Sequence, residues 1–246
     1  MAISKNKIKQ ITALHLKKNR LEQGLFIVEG EKTVSELLHQ NRYSIQSIYA
    51  IAPWISENKL PTGKTEICEV SPADLSRIST LKSPNKVLAI VAMPEQSTPV
   101  KLDNQLCLVL DNLQDPGNLG TIIRIADWFG IAHIFCSMDS VETFNPKVLQ
   151  ASMGSFLRVQ VHYTNLPELF RQFPNKLRYG ALLEGQDIRS SALNTDAFLL
   201  IGNEGKGLSD EILPWITDSI SIPRFGAAES LNAAVATGIL SAMFKL

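Results

Sequence analysis

Three short stretches of this chain hold polar residues whose types and spacing could do chemistry. The first, DNLQDPGNLGTIIRIADWFG (111–130), follows the apolar run LCLVL. Pro116 and Gly117 read as a turn, and Asn118 is placed to cap a helix. Arg124 then interrupts Ile122-Ile123-Arg124-Ile125-Ala126. It is either a surface arginine whose stem lies along apolar neighbours or a cation set above a loop that approaches a phosphodiester. The second stretch, LLIGNEGKGLS (199–209), puts three glycines and a lone acid, Glu204, after another apolar run. A triphosphate-binding loop needs Lys-Ser or Lys-Thr after its second glycine, and Gly207 is followed by Leu208-Ser209. A dinucleotide loop counted from Gly205 meets Asp210 where a third small residue has to pack. What remains is a plain glycine turn, or backbone able to approach a flat ligand closely. In the third stretch, ESLNAA (229–234), Ser230 reads as the cap of a final helix and Glu229 sits at its positive end. Asn232 falls in the first turn, where asparagine is a poor helix former unless its side chain has a task.

The elements that must position these residues alternate. Strand-like LCLVL (106–110), AHIFC (132–136), LRVQV (157–161), RYGALLE (178–184), AFLLI (197–201) and SISI (219–222) are separated by helical patterns. Those patterns are TIIRIADWF, ending at Gly130; NPKVLQASMG, with Asn145 as cap and Pro146 at its start; LPELFRQF; and a last helix from about Ser230. Unbroken apolar strands alternating with helices indicate a parallel sheet covered on both faces. In such sheets ligands bind beyond the carboxyl ends of the strands, where all three polar stretches fall. Ahead of this region lies a smaller mixed α/β pattern. LFIVEG (25–30), IQSIYAI (45–51) and KVLAIVAM (86–93) read as strands, EKTVSELLHQ (31–40) and SPADLSRIS (71–79) as helices. The polar, proline-containing MPEQSTPVKLDNQ (93–105) is the linker candidate, which divides the chain into 1–95, a linker at 96–104, and 105–246.

Composition sets the outer bounds. The 246 residues are 45% hydrophobic and 20% charged, ordinary for a chain that buries a sizeable core. No apolar run approaches a membrane span, and MAISKNKIKQ lacks the apolar centre of a signal peptide, so a cytoplasmic protein is expected. Cys68, Cys107 and Cys136 are far apart and odd in number, and the four histidines form no ligand pair. Buried structural thiols and no metal are the expectation. The net charge is zero, yet residues 1–24 carry Lys5, Lys7, Lys9, Lys17, Lys18 and Arg20 against Glu22 alone. Such an arm either meets phosphate or is the solvated face of an amphipathic helix with Ile8, Ile11 and Leu14 inside.

Taken together and in this order, DNLQDPGNLGTIIRIADWFG, LLIGNEGKGLSDEI and ISIPRFGAAESLNAAVA resemble the three motifs of the SpoU (TrmH-like) RNA ribose 2′-O-methyltransferases of the SPOUT class. NPKVLQASMGS between the first two is similar to the same family. LFIVEGEKTVSELL, with the basic stretch before it, is similar to the small RNA substrate-binding domain that precedes the catalytic domain in many members. Arg224 departs from the pattern, since many relatives have methionine after the proline.

The resemblance implies an α/β fold with a carboxyl-terminal trefoil knot, a homodimer, and S-adenosylmethionine held in the knot. Gly202, Ile222 and Leu231 match the family's cofactor contacts, with Leu183 and Glu184 at the adenosine rim. Arg124 matches the catalytic arginine, and Asn118, Glu204, Ser230 and Asn232 would orient ribose, arginine and loops. Lys17, Lys18 and Arg20 are the RNA contacts expected of the arm. The activity implied is S-adenosylmethionine-dependent methylation of a ribose 2′-hydroxyl in structured RNA, ribosomal RNA before transfer RNA. Two other classes are considered: an inactive RNA-binding or ribosome-assembly protein, which the joint presence of these polar residues opposes, and a nicotinamide oxidoreductase, whose glycine fingerprint is absent.

Overall fold

The computed structural model describes residues 3–246 apart from 41, 62, 82, 84, 85 and 96–100. The chain forms two units, one running to Glu95 and including Phe144–Gln150, the other taking the remainder. Of the stretch expected to link them, residues 96–100 lie outside the described residues, and Leu102 is buried in the core of the second unit.

In the first unit, four strands, β1 (Leu25–Glu29), β2 (Ile45–Ala50), β3 (Glu66–Glu69) and β4 (Val87–Ala92), form a sheet in the order β1-β4-β2-β3. The strand β4 runs antiparallel to β1 and β2, while β2 and β3 are parallel. Five helices accompany it: α1 (Lys5–Ala13), α2 (Lys17–Gln23), α3 (Glu31–Leu38), α4 (Ala52–Glu57) and α5 (Pro72–Ile78). Ser4 caps α1 and Ser71 caps α5, each accepting from the backbone N–H three residues on.

The basic arm takes the amphipathic form. Ile11 and Leu14 join the core with Tyr49, Leu75 and Leu88, while Lys5, Lys9, Lys17 and Lys18 face solvent. Arg20 corrects its expected role as an RNA contact. It is only 2% exposed, and its guanidinium donates to the Leu14 and His15 carbonyls at 2.9 and 2.8 Å. Those carbonyls lie at the junction between α1 and α2, which runs on without a continuous helix, so the arginine supplies the donors the backbone lacks.

The second unit is a six-stranded sheet, parallel throughout, in the order β10-β8-β9-β5-β6-β7. Its strands are β5 (Cys107–Leu110), β6 (His133–Cys136), β7 (Gln160–Tyr163), β8 (Leu177–Asp187), β9 (Ala197–Ile201) and β10 (Asp218–Ser221). The helices are α6 (Pro116–Trp128), α7 (Pro146–Ser152), which begins within the residues grouped with the first unit, α8 (Leu166–Gln172) and α9 (Ala233–Lys245). The apolar strands β5 and β9 are buried along their whole length, as strands covered on both faces must be. After β5 the chain builds outward through β6 and β7, then returns to lay β9 on the other side of β5. The loops leaving β5 and β9 therefore diverge at a switch in strand order, the usual ligand crevice of a parallel sheet.

Three local expectations change. Asn118 does not cap α6: the Asp115 carboxylate accepts from the Asn118 N–H at 2.7 Å, and Pro116 opens the helix with its φ already set. Ser230 does not cap α9, which begins at Ala233 with Asn232 as its cap. The strand expected over 157–161 is a short 3-10 turn, Ser155–Leu157, followed by β7, because Met153 and Gly154 both take positive φ and turn the chain before it extends.

Among the described residues, no helix is long and apolar enough to cross a membrane.

Candidate functional site

The crevice between the β5 and β9 loops is built from their backbones. Beyond β9, Asn203 and Gly207 exchange backbone hydrogen bonds at 2.9 Å in both directions, closing a tight loop. Asn203 Oδ1 accepts from the Gly205 and Lys206 N–H groups, and its Nδ2 donates to the Asn112 carbonyl at 2.9 Å, tying this loop to the one beyond β5. Asp111 adds a second tie, accepting from the Ser209 N–H at 2.7 Å. Neither Asp111, Asn112 nor Asn203 was singled out by sequence, although an asparagine between a strand and a glycine turn is a usable signal for such self-bracing. Gly202 is demanded by the closeness of this loop, since a Cβ there would lie 2.1 Å from the Gly207 carbonyl carbon.

A cavity of about 840 Å³ opens beside the braced loop. Its walls come from Ala181–Leu183 of β8, Gly202–Leu208 beyond β9, the irregular segment after β10, and the first turns of α9. The β10 ladder pairs with Tyr179–Gly180 and then skips to Gln186–Asp187, leaving Ala181–Gly185 outside it and free to form a wall. Of the expected cofactor contacts, Leu183, Gly202, Ile222 and Leu231 all line this space, and so do Glu204 and Ser230. Apolar side chains, glycine backbone and charged groups of both signs, Glu204 and Glu229 with Lys206 and Arg224, suit a ligand with a flat apolar part and charged parts of both signs. The volume falls within the roughly 300–1,000 Å³ usual for cofactor pockets.

At its edge the three polar stretches meet through side chains. Asn232 Nδ2 donates to Asn118 Oδ1 at 2.8 Å, and Asn118 Nδ2 donates to Glu204 Oε1 at 2.7 Å. Asn232 Oδ1 meanwhile accepts from the Ala234 and Val235 N–H groups. The two amide orientations are mutually enforcing, because turning either would face donor to donor or lone pair to lone pair. Asn118 is available for this bridge because Asp115 has taken the capping task.

Arg124 stands apart. Six residues along α6 is about 9 Å of rise and two-thirds of a turn beyond one full revolution, so it points away from Asn118. It is exposed and absent from the cavity walls, and among the described residues it donates only a sulfur contact, to Met153 Sδ at 3.1 Å. Beside it Trp128 is 85% exposed, and α9, which packs on α6, presents Val235, Ile239 and Met243 to solvent. Arg224 is exposed on the wall loop, with its guanidinium donating to the Ala228 carbonyl at 3.3 Å. The thiols take no part: burial pushes Cys107 up to about 12 and raises Cys136 as well.

Comparison with known proteins finds two family matches. The SpoU rRNA Methylase family matches residues 105–242, and the MRM3-like substrate binding domain matches residues 5–89. A curated protein of Bacillus subtilis, the 23S rRNA (guanosine(2553)-2′-O)-methyltransferase RlmP, is 31% identical over 95% of this chain and 94% of its own. Among solved structures, a TrmH-family protein from Porphyromonas gingivalis superposes with a TM-score of 0.91 at 38% identity, covering 100% of this chain and 99% of that one. An AdoMet-bound rRNA methyltransferase from Sinorhizobium meliloti gives 0.86 at 28% identity, covering 99% and 95%.

Proposed function

The chain belongs to the SpoU rRNA methylase family, an α/β SPOUT fold with its trefoil knot behind a substrate-binding domain, and from that premise we propose that it methylates a ribose 2′-hydroxyl of structured RNA, ribosomal RNA ahead of transfer RNA. The observation that carries this reading is the Asn232–Asn118–Glu204 hydrogen-bonded chain at the rim of the knot cavity. Purely structural asparagines have no need to join three motifs at the edge of an open pocket.

S-adenosylmethionine, when bound in that cavity, supplies an electrophilic methyl carbon on a sulfonium. Leu183, Ile222 and Leu231 would flank its apolar parts, and Gly202 would admit it against bare backbone. Displacement at that carbon is in line, so alignment is the first task of the protein. Asn118, Glu204, Ser230 and Asn232 would hold the ribose and the loops in register. Arginine in proteins is effectively always protonated, which makes Arg124 a poor base and a good partner for the neighbouring phosphate and the charge that develops on the 2′-oxygen. The hydroxyl proton then leaves to that phosphate or to water.

Because Arg124 points away from its own cavity, the reading includes a homodimer in which the arginine of one copy serves the cavity of the other. The apolar surface of Trp128, Val235, Ile239 and Met243 around it is the kind that a second copy covers. The domain roles follow: residues 1–95 bind RNA, with Lys17 and Lys18 among the contacts, and residues 105–246 carry the chemistry. Calorimetric titration tests the cofactor half of the reading. S-adenosylmethionine should bind once per chain and NAD not at all; binding of RNA with no uptake of S-adenosylmethionine would instead mark an inactive RNA-binding protein.

A further inference from the structure

Phe225 is 88% exposed although it belongs to the cavity wall. Leaving a phenylalanine in water forfeits the free energy of burying it, so an aromatic ring at a cavity rim invites a ligand. One face of the ring is already organised. The Arg189 guanidinium carbon stands 5.7 Å from the ring centroid. That guanidinium is clamped by Asp187, whose two carboxylate oxygens accept from Arg189 Nε at 3.0 Å each, with Nη2 at 2.5 Å from Oδ2. Asp187 also takes the Arg189 backbone N–H at 2.9 Å. Arg189 is therefore a charge-matched guanidinium beside the ring, its side chain 60% exposed, and the ring stays open to solvent. Leu183, 76% exposed, lines the same cavity, and Arg224 precedes Phe225 in the loop.

We infer that Phe225, backed by Arg189, is a stacking platform for an unpaired nucleobase of the substrate RNA, at or next to the nucleotide whose ribose enters the cavity. Every base has a π-face, and RNA recognition commonly splays bases onto aromatic rings and arginine planes. The clamp at Asp187 matters because a preorganised shelf loses little freedom when the base arrives. Arg224, adjacent in the loop, is placed for the phosphate of the same nucleotide. The inference rests on the functional reading above and adds to it a residue that selects and holds RNA, without touching the reacting atoms.

The test is steady-state methylation of in vitro transcribed ribosomal and transfer RNA by wild type, Phe225→Ala and Phe225→Trp, with cofactor affinity and sedimentation measured alongside. Phe225→Ala should raise the KM for RNA about ten-fold or more, well beyond any change in S-adenosylmethionine affinity; Phe225→Trp should restore the KM. Arg189→Ala should reproduce a smaller part of the loss. An unchanged KM for RNA overturns the inference. So does a loss of cofactor affinity as large as the loss for RNA, which would make Phe225 a cofactor lid, or a shift to monomer, which would make it a subunit contact. A wild type that methylates no RNA sinks the functional reading itself, an outcome distinct from a methylating wild type indifferent to Phe225.

Discussion

The Asn232 amide divides its two ends between two tasks. Its oxygen accepts from the free N–H groups of α9, and its nitrogen donates to Asn118, which passes the link to Glu204. Aspartate caps helices as well as asparagine does but has no N–H to give. Asn232→Asp should therefore keep the melting temperature within a few degrees while cutting turnover, whereas Asn232→Ala should also cost roughly 1 kcal/mol of stability. Undiminished turnover in Asn232→Asp would reduce Asn232 to a cap. Arg124→Ala belongs at the same scale: removing a group that stabilises developing charge typically costs about a hundred- to a thousand-fold in kcat. Asparagine in a helical first turn was a legible anomaly in the sequence. Its true place was not legible, because Ser230 caps as well by composition, and only the path of the loop after β10 decides between them.

At the scale of elements, the two most constrained pieces are a loop and a helix junction. Gly202 sits so close to the backbone of Gly207 and Leu208 that any side chain must displace it. Gly202→Ala should unseat the loop and weaken S-adenosylmethionine at least ten-fold by calorimetry; an unchanged affinity would show that the loop does not wall the cofactor. At the junction of α1 and α2, Arg20→Ala would orphan the Leu14 and His15 carbonyls, at a cost of about 1–3 kcal/mol. Denaturant unfolding should show it, while Lys17→Ala and Lys18→Ala leave stability alone. Hydrophobic periodicity located nearly every strand and helix of the second unit, since apolar runs buried on both faces have few other readings. It could not see Arg20, because a run of basic residues looks the same whether one member faces water or folds back onto its own carbonyls. It missed the 3-10 turn at Ser155–Leu157 for a related reason: apolar Leu157 and Val159 are buried there, as they would be in a strand.

At the scale of the whole molecule, the proposal is that Arg124, which is absent from the walls of its own cavity, serves the cavity of a second copy. If Arg124 serves the other copy, a mixture of Arg124→Ala with Glu204→Ala chains, each inactive alone, should regain activity when the subunits exchange. The mixed dimer then holds one cavity with an intact Glu204 and an intact Arg124 opposite. No recovery would place the arginine in its own subunit. Ile239→Glu, in the exposed apolar stripe of α9, should shift the protein toward monomer in sedimentation and lower turnover with it. The knot is the part that no local pattern carries: threading arises from the order in which strands are laid down, which composition and periodicity do not encode.

The most direct test of the central claim is nucleoside analysis of unmodified ribosomal RNA after incubation with methyl-labelled S-adenosylmethionine, wild type and Arg124→Ala side by side, with cofactor affinity measured for both. The account predicts label in a 2′-O-methylnucleoside for wild type, labelling slowed about a hundred-fold or more for Arg124→Ala, and matching cofactor affinities. Label on a base, or an Arg124→Ala protein that loses cofactor and activity together, would contradict it.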